Sequence, residues 1–586
     1  MRIFRPDIRL IALAVPALVF LALFYVYPLA EVLRISFTPS TLSQGATPWA
    51  ALAETNAVRV IGFSLGQAIA STGLTLLIGL PMAHVFARYR FAGRPFWQAL
   101  ATLPFVMPTV VVAAAFEALL GGRGLLNTAL QGLFKWAEPP VQIMNTLGII
   151  LIAHVFYNVS IVIRVVGAFW ALLNPQLEEA AAALGANRWQ VFWHIRLGGA
   201  WPAIGAAATL IFIFTFTSFG TILLLGGPRF ATIEVEIYNQ TAQLLRLDIA
   251  TSLALLQLAV TLLMGLIASR LQARASVPLE GQRPIELRLP RTRSDRALVF
   301  GTLAVIVLLQ LAPLLTLVLR SLAWDGAGLF RYYLALGQNT RGSFFFVPPL
   351  LAIRNSVGIA ALTATLALGM GLPLAYALAG RAYPNRSFPR KRETRANSQW
   401  IYENPPLIPP KRRGISPPSA LLEALLLLPL GTSALTLGLG YLLAFQTWPM
   451  LRTSPVLLPL AHTLIALPFV VRTLTPALRA VSVAAREAAA LLGAGPRQVW
   501  LKIDLPLLLR PLLTALIFAF AISLGEFGAS VLIARPDYPT MPLVIARFLG
   551  QPGALNYGQA LAMSVILMAV TVGAMVGMER GSVRGQ

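Results

Sequence analysis

Long apolar runs alternate with short polar, arginine-rich intervals along the whole chain. Twelve runs are long enough to cross a bilayer, which takes about 20 apolar residues in a helix. Their approximate limits are 9–32, 60–86, 97–120, 144–172, 202–226, 250–269, 297–319, 356–380, 420–446, 455–478, 508–533 and 557–578. The first follows a basic head, but its length marks a membrane helix and not a cleaved signal, whose apolar region is shorter. The pattern predicts an all-α polytopic membrane protein of about twelve transmembrane helices. An even number of spans puts both termini on one face.

Composition supports this reading. Of 586 residues, 57% are hydrophobic and 12% charged, with mean hydropathy +0.73. Soluble domains carry about 25% charged residues. Of the 46 Lys and Arg, 31 fall on the face that carries the termini and 13 on the other, with Arg164 and Arg472 near span ends. The positive-inside rule makes the richer face cytoplasmic. The net charge of +24 is therefore topological: the basic residues form no single face for nucleic acid, and no nucleic-acid partner is expected. Arg164 and Arg472 read as snorkelling or lipid-phosphate contacts. With no cysteine, disulfides and thiolate metal sites are excluded. His84, His154, His194 and His462 show no metal-ligand spacing, so no metal site is expected. His154 and His462 read as packing and hydrogen-bonding groups.

The chain repeats itself. His154 and His462, Arg164 and Arg472, Glu179 and Glu487, Gly185 and Gly493, Phe219 and Phe527, and Thr232 and Thr540 are all 308 residues apart. Earlier, "GLPMAHVFAR" (79–88) matches "GLPLAYALAG" (371–380) at an offset of 292, and Pro104 matches Pro429 at 325. The difference of 33 locates an insertion in the second half, the basic, Pro-rich stretch 385–419. Its composition predicts a disordered cytoplasmic loop, read either as an anionic-lipid or partner contact or as an insertion with no role. The expected organisation is a first transmembrane repeat (1–270), a polar cytoplasmic linker (271–296) and a second repeat (297–586). Six spans per repeat give both the same orientation, the parallel type of transporter repeat. Pro81, Pro104, Pro373 and Pro429 are expected to kink helices.

One matched pair is not apolar. "EAAAALGANRWQVFWHIRLG" (179–198) and "EAAALLGAGPRQVWLKIDLP" (487–506) sit in cytoplasmic loops. Each reads as a short helix, a glycine break and a second helix returning to the membrane. The glutamate suits a helix N-terminus, the alanines give a slim helical face, and Gly185 and Gly493 suit the left-handed end of a helix. An ordinary interfacial loop explains one copy, but not two at the same spacing on the same face.

This spacing (Glu-Ala-Ala, three residues, Gly, nine residues, Ile-x-Leu-Pro) resembles the EAA loop of binding-protein-dependent ABC importer permeases. The second copy matches throughout, and the first has Gly198 in place of the final proline. The stretches 151–166, 216–238 and 523–543 resemble fused, two-permease chains that transport thiamine or ferric iron. The resemblance implies a permease fed by an extracytoplasmic solute-binding protein and driven by a cytoplasmic ABC ATPase dimer. Glu179, Ala180, Ala181, Gly185, Glu487, Ala488, Ala489 and Gly493 would form its docking loops, in a multi-pass protein of the cell inner membrane.

No catalytic residue is expected on the chain. A P-loop needs a lysine after a glycine, and none of Lys135, Lys391, Lys411 and Lys502 follows one. ATP and Mg are therefore expected on the partner, with no cofactor here. Ionisable residues within spans raise a functional question. Glu526, on span eleven, stands opposite Ser218 in the repeat and, with Phe219 and Phe527, is a candidate for the translocation path. Helix–helix bonding is the competing role. A secondary transporter would also have two related halves, but it has no need of paired EAA loops. An importer of a polyamine or oxyanion is a further alternative. A membrane-embedded enzyme finds no nucleophile–base or metal constellation.

Overall fold

The structure, a computed structural model, describes residues 8–37, 57–173, 175–275, 287–323, 328–338, 348–379, 426 and 428–583. The stretch 385–419 lies outside them, as do linker residues 276–286. Regular structure among the described residues is helical, apart from one isolated bridge between Tyr89 and Arg288. Among the described residues, eleven helices are long and apolar enough to cross a membrane.

The first half runs α1 (Ala12–Phe37), α2 (Ala57–Arg88), α3 (Thr109–Phe134) and α4 (Leu147–Leu172). The short α5 (Pro175–Ala183) leads to α6 (Val191–Phe216), two short helices α7 (Gly220–Leu225) and α8 (Ile233–Tyr238), and then α9 (Leu247–Leu271). The second half repeats the order. It has α10 (Arg293–Arg320), α11 (Pro349–Ala379), α12 (Ala434–Ala444), α13 (Leu457–Ala480), α14 (Val483–Leu491), α15 (Pro496–Gly525), α16 (Gly528–Ile533), α17 (Met541–Leu549) and α18 (Ala554–Gly577). The expected span 420–446 corresponds to α12, only 11 residues long, with 420–425 outside the described residues.

Prolines set the starts of α3 and α12. Pro104 lies in a 3-10 turn, Leu103–Val106, and Pro108 caps α3. Pro429 lies in the matching turn, Leu428–Gly431. There Ser433 accepts from the N–H groups of Leu435 and Thr436 at 3.1 and 3.4 Å, starting α12. Lacking an N–H, these prolines break the helix outright where a kink was expected. The third span therefore begins at Thr109 and not near 97. Pro81 and Pro373 remain inside α2 and α11.

The repeat extends to individual contacts. Ser64 Oγ accepts from the Ile233 N–H at 2.9 Å, and Ser356 Oγ from the Met541 N–H at 2.7 Å. Gly79 packs on Val162 as Gly371 packs on Val470. A Cβ at Gly79 would stand 2.8 Å from Val162 Cβ, and one at Gly371 2.6 Å from Val470 Cγ1. Small residues let membrane helices approach this closely, and a β-branched valine cannot swing its Cβ substituents away. Gly79→Ala and Gly371→Ala should each destabilise by about 1–3 kcal/mol, the usual cost of overpacking. Gly73→Ala, with nothing within 4 Å, should not. Thermal unfolding in detergent checks this, and equal melting of all three variants would contradict it.

The halves exchange their first spans. Phe20, Leu21 and Tyr25 of α1 share a core with Leu374, Tyr441 and Leu464 of the second half. The Tyr25 hydroxyl bonds Thr432 Oγ1 at 2.7 Å. Reciprocally, Ile306 of α10 packs with Met82, Phe86 and Ile163 of the first half.

Candidate functional site

Both EAA loops lie on one face. Arg88, at the end of α2, meets Glu178 beneath α5. The linker joins here, since the Arg90 N–H donates to the Arg288 carbonyl at 2.8 Å, so α10 starts at this face. Arg320, at the far end of α10, donates to the Arg123 carbonyl at 2.7 Å. The next helix, α11, returns to the first face, where the Leu378 carbonyl accepts from Arg479 at the end of α13, just before α14.

α5 and α14 end identically. The N–H groups of Gly185 and Ala186 donate to the carbonyls of Ala182 and Ala181, and those of Gly493 and Ala494 to Ala490 and Ala489, all at 3.0 Å. This is the Schellman ending, and it requires the left-handed conformation; φ is +86° at Gly185 and +83° at Gly493. Glu179, Ala180, Glu487 and Ala488 are exposed, while Ala181 and Ala489 are half-buried. Just before each glycine stands a leucine absent from the sequence-based expectations. Leu184 and Leu492 are each 89% exposed, matched apolar knobs on the tips of the two loops.

The side chains preceding the EAA glutamates are buried and ionic. Arg196 Nε and Nη2 donate to the two Glu178 oxygens at 3.0 and 2.7 Å, and Arg88 also pairs with this carboxylate. Burial pushes the Glu178 carboxyl up, but the Arg196 hydrogen bonds and the Arg88 charge outweigh it and hold it below its ordinary value. Beside this cluster, the Tyr89 hydroxyl donates to Asp295 Oδ1 at 2.9 Å. Burial, with that bond, pushes the Tyr89 phenol up to about 12. In the second half Arg486 Nε donates to Asp504 Oδ1 at 2.7 Å. These residues were also missed. The 308 offset pairs Glu178 with Arg486 and Arg196 with Asp504, a signal in the sequence that a search for identical residues passes over.

The candidate path residues lie at breaks in α6–α7 and α15–α16. The sequence placed Glu526 and Ser218 within continuous spans. Instead α6 ends at Phe216 and α15 at Gly525, and Ser218 and Glu526 occupy the interruptions. Long apolar stretches flank both breaks, so hydropathy averaged over a span could not locate them. Phe219 and Phe527 stack across the two halves, ring centroids 5.6 Å apart and planes at 21°. Beside them the Glu526 carboxylate accepts from the N–H groups of Ala529 at 3.2 Å and Ser530 at 3.4 Å. His462 Nε2 lies 3.7 Å away. His462 bonds Ser523 and Ser530, and His154 bonds Ser71.

A second carboxylate, not anticipated, lies near Glu526. Glu234 on α8 is 1% exposed. It accepts from Gln257 Nε2 at 2.5 Å and from the Ser433 hydroxyl of the other half. The two carboxylates interact electrostatically. Two acidic groups and an aromatic pair thus meet where the halves join.

Two interlocked, repeated halves with interrupted helices at their junction define a solute permease. The comparisons give the family. Residues 75–277 match the binding-protein-dependent transport system inner membrane component. The sulfate transport system permease protein CysT of Escherichia coli (strain K12) is 30% identical over 228 residues, covering 39% of this chain and 80% of that protein. The thiamine transport system permease protein ThiP of the same organism is 26% identical over 527 residues, covering 87% of this chain and 88% of that protein. ThiP of Brucella abortus (strain 2308) is 28% identical, with 87% and 86% covered. The chain belongs to the family of binding-protein-dependent transport system inner membrane components, as a fused, two-unit ABC importer permease for a small solute. It is a multi-pass inner-membrane protein and a transport subunit.

Proposed function

We propose that the chain imports thiamine, delivered by an extracytoplasmic binding protein and driven by a cytoplasmic ABC ATPase dimer that docks on the two EAA loops. The observation that carries the docking is the pair of exposed leucines, Leu184 and Leu492, at matched positions on one face. An isolated exposed leucine means little; two on repeat-related tips suit a two-fold partner. ATP and Mg bind on that partner, and no cofactor binds here. The basic loops support a docking face, with both termini, on the cytoplasmic side.

Thiamine is supported by the names of relatives matching over 87% of the chain and by the chemistry of the junction. Glu234 and Glu526 suit a cation, and the stacked Phe219 and Phe527 suit a flat, aromatic one. In this reading Ser218, Phe219, Glu526 and Phe527 line the path, joined by Glu234. ATP closes the ATPase dimer, the loops move together, and the junction opens to the binding protein; hydrolysis resets it.

The test is reconstitution in proteoliposomes with an ABC ATPase and a solute-binding protein of the thiamine transport type. ATP-dependent uptake of labelled thiamine, suppressed by excess unlabelled thiamine, is the expected result. Uptake of ferric iron or sulfate in its place would overturn the substrate. Uptake without the ATPase, driven by an ion gradient, would overturn the importer mechanism.

A further inference from the structure

The same offset that aligns the two loops aligns a pair of buried charges with their signs exchanged. Glu178 stands where the second half has Arg486, and Arg196 where it has Asp504. Both pairs are formed. In the first half the Arg196 guanidinium forks onto Glu178 at 3.0 and 2.7 Å, and in the second Arg486 donates to Asp504 at 2.7 Å. One member of each pair precedes the exposed EAA glutamate. The other lies on a π-helical turn, Val191–Leu197 or Trp500–Asp504, that leads into the following span. Glu178 and Arg486 are each 8% exposed, and Asp504 is fully buried.

The surroundings follow the exchange. Arg88 gives the first carboxylate a second cation. At the position matching Arg88 the second half has Gly380, and at the position matching His84 it has Tyr376. The Tyr376 hydroxyl donates to Asp504 Oδ2 at 3.3 Å. Each half thus supports its own carboxylate, on whichever side of the pair it lies. Burying ion pairs is costly, and well-packed apolar residues often stabilise as much. Stability alone therefore explains poorly why both halves keep a pair here. What the two pairs share is the link they make between a loop helix and the root of a span, independent of charge direction.

We propose that Glu178–Arg196 and Arg486–Asp504 are struts that make each coupling helix and the span after it move as one body, so that force from the ATPase reaches the helix breaks at Ser218 and Glu526. These four are positioning residues. The proposal rests on the ATPase-docking reading, and the experiment separates the two. If the unaltered chain fails to bind the ATPase, the docking reading falls. If it binds, the variants judge the struts.

Uptake and ATP hydrolysis are measured in the same proteoliposomes, with ATPase retention as a control. Asp504→Asn should retain the ATPase within about twofold, yet raise ATP consumed per solute imported at least tenfold. Glu178→Arg with Arg196→Asp should stay defective, because the Arg88 guanidinium then faces another cation across the loop. Adding Arg88→Gly removes that opposed cation, as Gly380 does in the second half, and should restore uptake to within about threefold of the unaltered chain. A stabilising role alone would not raise the ATP cost of a folded complex. A monodisperse triple variant that remains inactive overturns the proposal. If the triple variant aggregates, Asp504→Asn decides: an unchanged ratio of hydrolysis to uptake overturns the struts, and a tenfold rise supports them.

Discussion

Aspartate at both Leu184 and Leu492 should abolish ATP-driven uptake and release the ATPase from the permease. Each leucine projects from a helix end into solvent at 89% exposure. Burying such a side chain in a partner's cleft contributes about 2 kcal/mol. Two loops engaging one dimer act together, so the pair accounts for about 4 kcal/mol, or roughly a thousandfold in affinity. Aspartate loses that contact and must also be desolvated or left out of the cleft. The fold should not suffer, since neither leucine belongs to a core. Co-purification with the ATPase reads the loss directly, and melting in detergent shows that the permease remains intact. Retention of the ATPase by the double variant would remove the basis for docking through these loops.

Neutralising the junction should stop transport at a different step. Glu234→Gln with Glu526→Gln keeps hydrogen-bonding side chains of the same shape, so Gln257 and Ser433, and the N–H groups of Ala529 and Ser530, still find acceptors. What disappears is the capacity to carry negative charge at the point where the halves meet. A charge-assisted contact contributes about 1.5 kcal/mol, so losing two lowers uptake of a cation by roughly a hundredfold. ATPase retention and its stimulation by loaded binding protein should change far less, because the docking face is untouched. Thiamine uptake by the double variant at the unaltered rate would show that these carboxylates hold helices together and nothing more.

Parts of this molecule were legible in its sequence for a physical reason. Spans announce themselves because the bilayer demands about 20 apolar residues at a time. The glycines of the loops announce themselves because only a residue without Cβ takes φ near +85° freely. The helix breaks at Ser218 and Glu526 were not legible: hydropathy averages over a whole span, and the few polar residues at each break are outweighed by the apolar ones on either side. Glu234 was missed because no local pattern marks it: Gln257 lies on the next helix, 23 residues away, and Ser433 in the other half. The exchange of first spans was invisible for the same reason, since no local pattern says which half a helix will join. The reversed ion pairs were present in the numbering but carry opposite residues at equivalent positions.

The exchanged first spans bear on how the protein is made. Tyr25 finds Thr432 only after 407 more residues have been synthesised. Until then α1 must wait in lipid with the face that carries Phe20, Leu21 and Tyr25 unmatched. A chain interrupted near residue 270 would leave that helix without its seat, and a second half made alone would lack the helix that covers α11 and α12. Fusion keeps the late-arriving partner at hand, at a local concentration set by the tether and not by the abundance of a separate subunit in the membrane.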